Sequence, residues 1–186
     1  MDELIEAAIK GNKEAYIDLI NIIRGDLYRI AHARLNDIED VNDAIEETIL
    51  KSYKNLKKLK NNGYFKTWIT KILINECNNI YRINKKNNEI ADRIMVLQGN
   101  KIKENDIRDI KKVEDKLDFE RMISNLSYDE RLIVILYYNN RHTVADIANI
   151  LDMNVNTVKS KLLRAKEKIK LKMKGGDYNG TAGRIG

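Results

Sequence analysis

No proline occurs in the 186 residues, so the residue that most strongly interrupts a helix is missing from every stretch of the chain. Glycine is scarce at nine, and aromatics make up only 6%. With Leu, Ile, Lys, Glu and Asn recurring periodically, this composition points to an all-α fold. No alternating run is long enough to argue for a strand. The single cysteine, Cys77, supports neither a disulfide framework nor a metal cluster, and its place in an apolar helical pattern makes it a small core residue. The two histidines, His32 and His142, stand apart. No Gly-rich phosphate loop, His-Glu-x-x-His or Ser/His/Asp set can be assembled, so no enzyme, metal site or cofactor is expected. No apolar run approaches the roughly 18 residues a membrane span needs, and the opening residues are acidic and amphipathic rather than signal-like. A cytoplasmic protein is expected.

The net charge of +6 is modest, and its placement says more than its size. Residues 1–90 hold 15 basic and 14 acidic side chains, 91–118 hold 7 and 7, and 119–174 hold 11 and 6. The excess therefore falls in the C-terminal third.

Hydrophobic periodicity divides the chain. Asn12 is placed to cap a helix on which Tyr16, Leu19, Ile20, Ile23, Leu27, Ile30 and Ala31 share a face. A second amphipathic stretch runs through Val41, Ile45, Ile49, Tyr53 and Leu56. Its acids crowd the N-terminal half and its lysines the other end, as the helix macrodipole favours. After Asn61-Asn62-Gly63, a third puts Phe65, Trp68, Ile69, Ile72, Leu73, Cys77 and Ile80 inside. From about Asn87 to Lys116 the sequence becomes polar and charge-balanced, too long for a tight connection. Two small helical domains joined by a flexible linker are expected, at 1–88 and 117–174, with the linker at 89–116. The tail, 175–186, lacks a packing pattern and reads as disordered.

The second domain opens on Phe119, Met122, Ile123 and Leu126. Ser127 and Glu130 then have capping-box spacing. Two further helices follow, with Val144, Ile147, Ala148 and Leu151 on one face and Val158, Leu162, Ala165 and Ile169 on the other. Asp152 falls in the turn, where Asn or Asp tolerates positive φ, and Asn154 is placed to cap the last helix. From Val155 to Lys174 there are eight Lys or Arg against one acid, Glu167. This is a helix-turn-helix with a basic second helix, the electrostatic footprint of a DNA reader.

Taken together, Asp-Ala-Ile-Glu-Glu-Thr-Ile-Leu from Asp43, Phe-Lys-Thr-Trp-Ile-Thr-Lys-Ile-Leu-Ile-Asn from Phe65, and the C-terminal helical pair resemble the two conserved domains of bacterial RNA polymerase sigma factors of the extracytoplasmic-function class. The resemblance covers roughly residues 3–88 and 117–174. It implies that a helix carrying Asp40, Asp43, Ala44, Glu46, Glu47 and Ile49 docks on core RNA polymerase. Glu46 stands where the family usually has Gln, and Ile49 where it has Phe. It implies that the loop from Asn61 to Phe65 and the helix after it capture the minus-10 promoter strand, through Asn62, Tyr64, Phe65, Asn75, Asn79, Arg82 and Lys86. Core packing is the competing role for Phe65 and, with the larger share, for Trp68.

The last helix would enter the major groove at the minus-35 element with Asn156, Thr157, Lys159, Ser160, Lys161, Leu163 and Arg164. Lys161 replaces the usual Arg, losing bidentate geometry. The partners implied are core RNA polymerase, promoter DNA and an anti-sigma factor, membrane-anchored or not. The chief competitor is a stand-alone helix-turn-helix regulator that binds duplex DNA without polymerase; a helical adaptor whose basic helix meets an acidic protein is the third.

Overall fold

A computed structural model of the chain describes residues 1–97, 123 and 125–176, and all secondary structure in them is helical. The described helices fall into two compact units. Most of the expected linker, the start of the helix through Phe119 and Met122, and the tail beyond Gly176 lie outside the described residues.

The first unit holds α1 (Asp2–Ile9), α2 (Lys13–Arg34), α3 (Ile38–Asn55) and α4 (Phe65–Leu97), with single 3-10 turns at Leu56–Lys58 and Asn62–Tyr64. Gly11, at φ +100°, turns the chain after α1 in a conformation that a side chain would strain. Asn12 Oδ1 then accepts from Ala15 N at 3.1 Å, as its spacing predicts. All seven expected inner residues of α2 are buried. They face α3 and α4 across a core that includes Leu19, Leu27, Ile30, Val41, Phe65, Ile69 and Leu73. Burying each such side chain contributes about 1.5–3 kcal/mol.

The inner face of α3 differs from the expected one. Val41, Ala44, Ile45, Thr48 and Ser52 are buried, whereas Ile49 is half-buried and Tyr53 is 41% exposed. Two hydroxyls can sit in the core because both find partners. Thr48 Oγ1 donates to Ala44 O at 2.6 Å, and Ser52 Oγ lies 2.7 Å from the Tyr16 hydroxyl, which also reaches Ile49 O. Apolar periodicity cannot reveal such positions.

α4 runs to Leu97, past residue 88, where the sequence reading ended the first domain. Residues 87–97 mix polar and charged residues with Ile90, Ile94, Met95, Val96 and Leu97 and contain no breaker, since Gly99 is the first glycine after Gly63 and proline is absent.

The second unit holds α5 (Tyr128–Val134), continued by a π turn at Ile135–Asn139, then α6 (Val144–Ile150) and α7 (Val155–Gly176). The Ser127/Glu130 capping box forms as its spacing predicts. A second box, Thr143 with Asp146, starts α6; its Thr-x-x-Asp spacing was also in the sequence. Asp152 takes φ 51° in the turn, and Asn154 Oδ1 accepts from Asn156 N at 2.8 Å. Ile133, Leu136, Ile147, Ile150, Val158 and Ala165 form the core.

Candidate functional site

The solvent side of α3 is an acidic stripe. Asp43, Glu46 and Glu47 are exposed, and Leu50, 52% exposed, lies among them one turn on. Leu50 falls off the apolar period of α3, so its place on the acidic face is not evident from that period. Glu47 carries a lysine with it, since Lys51 Nζ lies 3.3 Å from Glu47 and 2.7 Å from Glu76 of α4. Asp40 is half-buried and accepts from Asn84 Nδ2 at 2.7 Å. Burial raises its pKa, the Asn84 bond opposes this, and Asp37 and Asp43 add to the rise. Ile49 is half-buried. Ala44 corrects the expectation: at 0% exposed it offers nothing to a partner, and its small side chain lets α3 pack closely within the unit.

On α4, Asn75, Asn79, Arg82 and Lys86 are exposed and follow one another at steps of four, three and four. Helical geometry therefore brings these four expected residues onto a single outward stripe. Arg82 Nη2 donates to Asn79 Oδ1 at 2.8 Å. In the turn before α4, Tyr64 is 59% exposed and Asn62 half-buried, while Asn61 Oδ1 accepts from Gly63 N. Phe65 does not belong with them. It is 1% exposed and among the largest fully buried side chains, so it cannot touch DNA in this fold. Core packing, the competing role, is the one Phe65 takes; Trp68 is half-buried, its ring centroid 6.1 Å from that of Phe65.

On α7, Asn156, Thr157, Lys159, Ser160, Leu163 and Arg164 are exposed, with Leu163 at 59%. The first turns are tied internally: Ser160 Oγ donates to Asn156 O and Arg164 Nε to Ser160 O. Lys161 departs from the set. Its Nζ sits 2.7 Å from Asp129 Oδ2 on α5, leaving the side chain 25% exposed and engaged within the unit. Lys168 does likewise, reaching both carboxylate oxygens of Glu130 at 3.0 and 2.7 Å. Two lysines that look like DNA contacts in the sequence thus fasten α7 to α5. Burial alone would raise the pKa of Glu130, but the hydrogen bonds of Lys168 and Ser127 outweigh it and hold the carboxyl below its ordinary value.

Residues 19–87 match the family described as Sigma-70 region 2, and residues 116–169 match Sigma-70, region 4. The chain is similar along 91% of its length to the ECF RNA polymerase sigma-E factor of Haemophilus influenzae, at 28% identity over 93% of that protein. It is 22% identical to the ECF RNA polymerase sigma factor SigW of Bacillus subtilis, over 91% of this chain and 95% of the relative. Among solved structures, CnrH in complex with the cytosolic domain of CnrY shares the fold at TM-score 0.64 and 18% identity, over 94% of this chain and 97% of that one. The sigma factor RpoE of Bartonella quintana, in complex with the anti-sigma factor NepR, does so at 0.63 and 22%, over 86% and 96%. With the two sigma-70 regions in this order on the two helical units, the chain belongs to the extracytoplasmic-function class of bacterial RNA polymerase sigma factors.

Proposed function

We propose that this sigma factor, a non-enzymatic transcription initiation factor, docks on core polymerase through the α3 stripe and reads promoters at two points. The α4 stripe takes the minus-10 strand, and the outer face of the first turns of α7 takes the minus-35 duplex. The observation that carries this reading is the alignment of Asn75, Asn79, Arg82 and Lys86, which would give successive nucleotides two amides and two cations along one helix edge. Neither surface needs to bind DNA tightly alone, because tethering to polymerase supplies a high effective concentration. In this reading polymerase docking and minus-10 contact fall within residues 1–88, although α4 itself continues to Leu97, and minus-35 reading falls within 117–174. RpoE of Bartonella quintana, which shares the fold, is solved in complex with the anti-sigma factor NepR, and CnrH in complex with the cytosolic domain of CnrY, which supports an anti-sigma partner for this chain, one that would cover the α3 stripe.

Mixing the purified chain with bacterial core polymerase and a promoter library should yield discrete run-off transcripts. Absence of transcripts together with failure to co-elute with core would overturn the reading, and tight duplex binding without core would favour a stand-alone regulator. Arg164→Ala should weaken minus-35 binding by roughly 1–3 kcal/mol, the range for a base-contacting arginine. It should leave the thermal midpoint near that of the parent, because Arg164 is exposed. Unchanged promoter strength and choice would remove Arg164 from the interface.

A further inference from the structure

We propose that Arg34, Asn78 and Tyr81 form a platform between α2 and α4 that binds one unstacked nucleobase of single-stranded DNA, beside the α4 stripe. The proposal rests on the promoter-reading role given above and adds to it two further residues of α4 and Arg34, from a helix with no assigned part in DNA contact.

Arg34 is the last residue of α2, and it crosses to α4 by two contacts. Its Nε donates to Asn78 Oδ1 at 2.8 Å, and its guanidinium carbon lies 4.3 Å from the centroid of the Tyr81 ring. Together these set the plane of the guanidinium before any ligand arrives, so little rotamer freedom is left to lose on binding. Tyr81 is nevertheless 46% exposed. An aromatic ring and a guanidinium plane held at a surface are the two side-chain faces on which unpaired bases stack.

The surroundings suit the same ligand. Arg34, Asn75, Asn78, Asn79, Tyr81 and Arg82 line one open concavity, with the carboxylate of Glu76 on its wall, where Lys51 holds it at 2.7 Å. Amides offer both donors and acceptors to a base edge, and the arginines offer donors to its carbonyls or to the adjoining phosphate. A second arginine–asparagine pair, Arg82 with Asn79, repeats the arrangement along α4. Because the concavity is open, a base already splayed from a melted strand can enter without a pocket closing over it.

A purely structural account has Arg34 tying the end of α2 to α4, where a cation at a helix C-terminus is favourable. That account predicts a loss of stability with no dependence on any particular nucleotide. The test therefore uses holoenzyme, assembled from the full chain and core polymerase. The DNA is a fork template whose single-stranded non-template strand carries one abasic site, moved stepwise through the minus-10 region. For the parent protein, one abasic position should weaken binding about 5- to 150-fold, the range for loss of one stacked base. With Tyr81→Leu or Arg34→Lys, the intact template should be weakened to a similar degree and that abasic position should have little further effect. Thermal midpoints are measured beside binding; should Arg34→Lys fold poorly, Tyr81→Leu, a change at an exposed position, carries the test alone. An abasic profile the same in parent and variants overturns the platform while leaving the promoter-reading role intact. Failure of the parent holoenzyme to bind any fork overturns both.

Discussion

Phe65→Ala should destabilise the first unit by about 3–5 kcal/mol, the usual range for removing a fully buried phenylalanine. Whole domains are stable by only about 5–15 kcal/mol, so much of the unit's stability rides on this one ring. Phe65 stands at the first position of α4, at 1% exposed, in the core that α2 and α3 share. Its neighbour Tyr64, 59% exposed, has no such role. Urea unfolding should therefore show a large drop in midpoint for Phe65→Ala and almost none for Tyr64→Ala, whereas holoenzyme carrying Tyr64→Ala should open promoters less well. A Phe65→Ala protein of parental stability that had lost only promoter opening would return this residue to the DNA surface.

Glu130→Ala should cost the second unit about 2.5–4 kcal/mol, combining a lost helix cap of about 1 kcal/mol with a lost charge-assisted bond of about 1.5–3. The estimate stays well below the sum that a dry ion pair would suggest, because the Lys168 side chain is 47% exposed and regains water when its partner goes. The same carboxylate that accepts from the Ser127 N–H at 2.9 Å receives Lys168, so one side chain both starts α5 and seats α7 on it. The effect should depend on pH. A carboxyl whose pKa is lowered on folding adds stability that is fully present above its unfolded pKa and is lost as pH falls through the folded value. The stability gap between the parent and Glu130→Gln should hold at neutral pH and narrow below about pH 4, under the ordinary glutamate range. A gap unchanged at acid pH would show that the charge on Glu130 contributes nothing.

Much of this was legible in the residues themselves. Absent proline and 3.6-residue periodicity indicate the helices of both units, and capping residues such as Asn12, Ser127 and Asn154 mark their starts. Asp152 was readable as a turn residue because few non-glycine side chains tolerate its φ of 51°. What escaped depends on contacts between distant segments. Phe65 and Tyr64 are adjacent aromatics in one string of letters, and only packing assigns one to the core and the other to the surface. Thr48 and Ser52 look like solvent positions until Ala44 O and the Tyr16 hydroxyl supply partners. Lys161 looks like one more base-reading cation until Asp129, 32 residues away, claims it. Arg34 ends a helix with no motif around it, and its link to Asn78 spans 44 residues.

The two lysine–carboxylate rungs between α5 and α7 also change how binding to DNA should be counted. Each phosphate neutralised by a protein cation frees condensed counterions, and each one steepens the fall of log K with log salt by about 0.9. Eight cations on α7 would allow a slope near −7 if all met phosphates, but Lys161 and Lys168 are engaged by Asp129 and Glu130 and so do not neutralise phosphates, which lowers the ceiling on the helix's share to about −5. A basic helix of this composition is thus less of a polyelectrolyte than it reads, and correspondingly less prone to be held on DNA of any sequence.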